Sequence, residues 1–91
     1  MTKNDVFEKK VRVYRNKIDK LDNKIVELLN KRGEIAQKVG NLKRQFSKDV
    51  YQPLREKEII EGLKKKSVIL DHIAIETIWN EIIKACKRLE E

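Results

Sequence analysis

Through the first forty-six positions the apolar residues fall on one stripe. It reads Phe7, Val11, Tyr14, Ile18, Leu21, Ile25, Leu28, Arg32, Ile35, Val39, Leu42 and Phe46. Intervals of four and three alternate throughout, which places all of these side chains on one face of an α-helix. Arg32 is the single cation among them. A guanidinium stays charged at any depth of burial, so at this position it needs an anion or several acceptors, from this chain or from a ligand. The stripe predicts a first helix over about residues 5–46, free of proline, with Gly33 and Gly40 on one side of it. Residues 47–52 read as a connection. Pro53 suits the first position of a second helix, where its missing N–H costs nothing. That helix is predicted to reach residue 66, with Lys64, Lys65 and Lys66 at its negative end. Asp71 reads as an N-cap. A third helix over 72–90 carries Ile75, Ile78, Ile82, Ala85 and Leu89 at helical spacing. Trp79, Ile83 and Cys86 widen that face, so packing on two sides is expected.

The expected fold class is all-α, and its geometry asks for a second copy. A forty-residue helix is roughly 60 Å long. A compact domain of this size has a radius of gyration of only about 12 Å. The residues after the first helix are too few to cover its stripe, so the reading is an intertwined helical homodimer.

The chain has 91 residues, 41% of them charged, with three glycines and one proline. That suits one helical domain over 1–91 rather than a disordered chain. A single cysteine, Cys86, allows no intrachain disulfide and suggests a reducing compartment. No apolar run suggests a leader or a membrane span. A cytoplasmic protein is expected, with no membrane partner. The net charge of +7 points to an anionic partner. Aromatics are only 5% and acidic residues are mixed among the basic ones, with no nucleic-acid-binding signature. A small anionic metabolite therefore fits, with no nucleic acid.

Lys43 follows Arg32 by eleven residues, close to three turns, so both leave one face about 16 Å apart. Two long side chains can close on one small molecule between them, and Ala36, Val39 and Gly40 would leave it room. Arg15 lies roughly 26 Å back along the same rod. It can serve such a site only in a partner chain. Arg55 and Glu56 open the second helix, where free N–H groups and the helix dipole favour an anion.

These residues resemble the all-α class of chorismate mutase. The pattern is Arg15-x-x-Ile18-Asp19-x-x-Asp22-x-x-Ile25-x-x-Leu28-Leu29-x-x-Arg32-x-x-Ile35-Ala36-x-x-Val39-x-x-x-Lys43. Pro53-x-Arg55-Glu56 and Ile82-Ile83-x-Ala85-Cys86-x-x-Leu89-Glu90 complete it. The resemblance implies an intertwined homodimer that converts chorismate to prephenate in phenylalanine and tyrosine biosynthesis, without cofactor or metal. It also implies roles. Arg15 from the partner chain, Arg32 and Arg55 would hold the two carboxylates of chorismate. Lys43 would contact the ether oxygen, and Glu56 would accept from the ring hydroxyl. Gln52 and Cys86 join them as substrate-binding positions, and Arg32, Lys43 and Glu90 are the catalytic set. Gln52 stands where the family often has an acidic residue, a change expected to matter little because the backbone there can still serve.

Plainer readings exist for each residue. Arg32 could be a structural arginine paired with a carboxylate, Lys43 and Arg55 solvated side chains, and Glu56 a favourable charge in a first turn. Cys86 reads as a small packed residue rather than a nucleophile, Trp79 as core, and His72 as exposed at a helix start. Two other functions stay open: an isochorismate-pyruvate lyase of the same fold, and a basic coiled-coil dimer that binds nucleic acid. The last explains the charge but not the cation within the stripe.

Glu90 aligns with a family position that faces the ether oxygen. An ionised carboxylate there would repel negative charge growing on that oxygen, whereas a protonated one could donate a hydrogen bond. The expected outcome is a rate on chorismate that rises toward acid pH in the wild type and loses that rise in Glu90→Gln. Superimposable pH–rate profiles would reject this role.

Overall fold

The computed structural model describes residues 1–91 and contains no strand. Its elements are α1 (Lys3–Gln45), α2 (Pro53–Lys66) and α3 (His72–Glu90). The second and third helices have the predicted bounds. The first starts two residues early because Thr2 and Asp5 cap it reciprocally. The Asp5 N–H donates to Thr2 Oγ1 at 3.2 Å and the Thr2 N–H to Asp5 Oδ2 at 3.1 Å.

α1 stops just before Phe46, and the stop has a definite geometry. Ser47 takes a φ of 54°, in the left-handed region. Its N–H donates to the Arg44 carbonyl at 3.3 Å, and the Lys48 N–H donates to the Lys43 carbonyl at 2.8 Å. This pair of bonds is the Schellman arrangement, normally built on glycine. At the start of α2, Pro53 occupies the first turn and Gln52 supplies no side-chain cap. At the start of α3, Asp71 accepts from the Ala74 N–H at 2.8 Å, as its sequence position suggested.

The chain divides into two compact units, Met1–Lys31 and Arg32–Glu91. The first is the N-terminal part of α1. Its stripe is uncovered: Phe7, Tyr14, Ile18, Leu21, Ile25 and Leu28 are each more than half exposed. The second unit holds the buried residues Ile60, Ile75, Ile83 and Cys86, together with Gly33 and Gly40 of α1. The inner face of α3 is therefore the Ile75–Ile83–Cys86 line. Ile78 and Leu89, expected on the main packed face, are 41% and 45% exposed. Burial within one chain thus takes Ile75 from the expected face and Ile83 and Cys86 from the residues expected to widen it.

Lys64 ties α2 to α3. Its ammonium lies 3.1 Å from Glu76 of α3 and 3.1 Å from Glu61 of its own helix. The hydrogen bonds to Glu76 and then Glu61 raise its pKa above the ordinary 10.5. The sign follows: the tie contributes fully below the ordinary lysine value and is lost as pH climbs through the raised one. It is intact at neutral pH.

Ser47 carries the strain of a left-handed non-glycine residue, which glycine would relieve. Ser47→Gly should stabilise the fold by about 0.5–1 kcal/mol in urea unfolding. An unchanged or lowered midpoint would show that the serine is not strained.

Candidate functional site

All three helices contribute to one cavity of about 290 Å³ in the second unit. α1 supplies Arg32, Ala36, Val39 and Lys43. Gln52, Arg55 and Glu56 come from the start of α2 and the residue before it, and Cys86, Lys87 and Glu90 from α3. A volume of this size lies at the small end of metabolite sites. Seven of the eight residues singled out by sequence therefore line one space. Arg15 does not. It belongs to the first unit, where its guanidinium lies 3.7 Å from Glu8.

The charges around the cavity are unequal. Arg32, Lys43, Arg55 and Lys87 face two carboxylates, Glu56 and Glu90, so two positive charges are left over. Arg32 is half-buried, and no salt bridge or side-chain hydrogen bond in the chain engages it. Arg32 thus has no carboxylate partner within its own chain. Arg55 pairs with Glu58 at 2.6 Å, but both side chains are well exposed. An exposed pair of this kind is weak and easily exchanged.

Lys43 is held firmly. Its ammonium donates to Glu90 Oε1 at 2.7 Å and to the Val50 carbonyl at 3.0 Å. Both side chains of the Lys43–Glu90 pair are mostly buried, at 18% and 13% exposure. An ammonium has three donors, so one remains for a ligand.

Gly40 sets the position of Glu90. A Cβ on Gly40 would lie 2.6 Å from both the Cα and the carbonyl oxygen of Glu90. The space made by this glycine is filled by the α3 backbone, not left for a ligand as its small size suggested. Arg44 adds a clamp, donating to the Glu90 carbonyl at 2.5 Å. Ala36 and Val39 do line the cavity, as expected. Cys86 is buried at its wall, as the small packed residue that sequence suggested. Gln52 lines the cavity too, while its amide donates to the Asp49 carbonyl at 3.0 Å.

Sequence reasoning passed over Lys87 and Arg44. Lys87 lies three residues before Glu90, one helical turn, and that spacing alone could have put it on the cavity face. Nothing in the sequence marks Arg44 as a clamp, because the α3-end groups it holds, the Glu90 and Glu91 carbonyls, are backbone acceptors far along the chain.

The cavity is walled largely by three helices and carries an excess of two positive charges. The family model for chorismate mutase type II matches residues 14–91. This chain belongs to that family. Among solved structures it is similar to chorismate mutase (form II) from Thermus thermophilus. The identity is 28% and the TM-score 0.87, over 89% of this chain and 93% of that one. It is also similar to chorismate mutase from Helicobacter pylori in complex with prephenate. Here the identity is 31% and the TM-score 0.81, over 88% of each chain. No curated protein gives a significant sequence match.

The Gly40 contact yields a graded expectation. Gly40→Ala must push the α3 backbone away and should cost about 1–3 kcal/mol of stability. A Cβ at Gly33 would meet only the mobile end of Leu89, at 3.0 Å. Gly33→Ala should therefore cost clearly less in the same urea titration. Equal losses would remove the special place given to Gly40.

Proposed function

We propose that this cavity binds chorismate and rearranges it to prephenate, and that residues 1–91 act as one chorismate mutase domain. The observation that carries the reading is the excess of two positive charges around Arg32, which has no partner in its own chain. Chorismate is a dianion of matching charge. Synthesis of phenylalanine and tyrosine is the setting that follows from the family. No helix is long and apolar enough to cross a membrane, and we place the reaction in the cytoplasm.

The rearrangement is an intramolecular Claisen reaction, in which a C–O bond breaks as a C–C bond forms. It needs no nucleophile. The substrate must be folded so that the reacting carbons approach, which is a problem of orientation. Arg32 and Arg55 hold its carboxylates, Arg55 leaving the exposed Glu58 to do so. The bond to the ether oxygen stretches in the transition state and negative charge grows there. The third donor of Lys43 meets that charge. The Val50 carbonyl and Glu90 Oε1 fix the ammonium beforehand, so little reorganisation is needed when the charge appears, and the other Glu90 oxygen is left to carry the proton that the acid-side rate rise requires. Glu56 takes the ring hydroxyl, and Gln52 and Cys86 shape the wall.

The uncovered stripe supports a homodimer. Ile35 and Leu42, beside the cavity on α1, are also more than half exposed, so the stripe stays open in the second unit as well. A second copy of α1 would cover it and bring Arg15 to the site. Each site would then combine Arg32 of one chain with Arg15 of the other.

Arg32→Ala should lower kcat/KM on chorismate by about a hundredfold or more, the usual scale for losing a charged donor to the reacting group. Arg15→Ala should do likewise. Mixing the two inactive variants under exchange conditions should restore about a quarter of wild-type activity. Half the dimers would be mixed, each with one intact site. No recovery on mixing would defeat the shared site. A folded wild type without chorismate turnover would defeat the function, and running isochorismate alongside would reveal a lyase instead.

A further inference from the structure

Lys87 has no role in the rearrangement as described above, yet it stands inside the cavity. Its ammonium, on α3, donates to Glu56 Oε2 of α2 at 3.0 Å. It also lies 4.6 Å from the centre of the Tyr51 ring, which belongs to the connection before α2. Three segments thus converge on one ammonium. The carboxylate and the ring face fix it from two directions, and a cation over an aromatic face is held by the ring quadrupole. The pair is only about a quarter exposed, at 26% and 27%, so solvent competes weakly for it.

The consequence falls on Glu56. No other side chain or backbone group in the structure engages its carboxyl group. Without Lys87, a glutamate in the first turn of a helix would be free to swing among rotamers. With Lys87 on Oε2, the other oxygen, Oε1, remains to accept. We propose that Lys87 is a positioning residue, which orients Glu56 so that Oε1 receives the ring hydroxyl of the substrate. Lys87 would thereby set selectivity for a hydroxylated ring. This assignment rests on the chorismate mutase reading of the site.

The chemistry favours an ammonium for this task. A lysine is a compact point charge on a flexible stem, able to fix one carboxylate oxygen without spanning both. An arginine would tend to bind the carboxylate through two parallel bonds and occupy Oε1 as well. The residue that holds Glu56 has to leave one of its oxygens free.

The test compares chorismate with its ring-deoxy analogue, which keeps both carboxylates and the ether but lacks the hydroxyl. Lys87→Met keeps the length of the stem and removes the charge. On chorismate its kcat/KM should fall about tenfold, the scale of one charge-assisted hydrogen bond. On the analogue the fall should stay within about threefold: the lost ammonium lowers the cavity's charge for either dianion, but there no hydroxyl needs an acceptor. Lys87→Arg should give a smaller loss on chorismate if its guanidinium stays on Oε2 alone, and a larger one if it takes both oxygens. Either result, confined to chorismate, supports the assignment.

Equal losses on both substrates would mean that Lys87 only supports the fold, and would overturn the proposal. So would no loss on either. Should Lys87→Met fail to fold, Tyr51→Leu removes only the ring beside the ammonium. It should produce the same chorismate-specific loss to a lesser degree, and an equal effect on both substrates would again overturn the proposal. A folded wild type inactive on chorismate would overturn the reading of the site itself, a result distinct from any of these.

Discussion

The close approach of α1 and α3 at Gly40 holds the second unit in its working shape. A side chain there would collide with the backbone of Glu90. Because it is absent, the last turn of α3 reaches α1, and the Glu90 carboxylate lands on Lys43. Cys86 and Lys87, one turn earlier, come to the cavity wall with it. The α2 residues arrive from the other side, with α2 tied to α3 by Lys64 and Glu76. Apart from Val50 and Gln52 on the connection before α2, the cavity-lining groups therefore owe their places to helix packing. Preorganisation of this kind is what an orientation-limited rearrangement requires.

Charge is arranged with equal economy. Both acidic groups of the cavity are already engaged, Glu90 by Lys43 and Glu56 by Lys87. Arg55 has an exposed partner it can leave, and Arg32 has none. The cations thus form a series, from tightly held to unpaired. On the proposed reading the tightly held Lys43 meets the ether oxygen, where a fixed charge lowers the barrier most. On the same reading the loosely held Arg32 and Arg55 take the carboxylates, where binding can still rearrange them at small cost.

Much of this was legible in the sequence, and the gaps have physical causes. Helical period and capping chemistry located α2 and α3, because Pro53 and Asp71 act locally. The end of α1 was less clear because Ser47 adopts a conformation that its side chain does not announce. The face that α3 buries within one chain was only partly legible, because both of its faces are apolar. Only packing against α1 and α2 decides which one a single chain buries. Arg32, Lys43, Arg55 and Glu56 could be named from their places on the helices, since a helix converts sequence distance into direction, whereas Glu90 came only from the family resemblance. Gly40 was read as space for a ligand. Sequence shows that a residue is small but not what fills the space. Lys87 was missed because its partners lie on α2 and the preceding connection, and one lysine among many carries no signal of its own.

Arg32 and Lys43 share one uninterrupted stretch of α1, and that stretch works as a ruler. Their separation and their common direction are fixed by the pitch of the backbone, not by any particular side chain between them. Exchanging residues on the outer face leaves the ruler intact. Adding or deleting a single residue between the two cations would turn Lys43 by about 100° around the axis and take it off the face. A site measured out in this way can tolerate wide drift in composition but hardly any change in count. Its evolution is constrained in frame far more than in spelling.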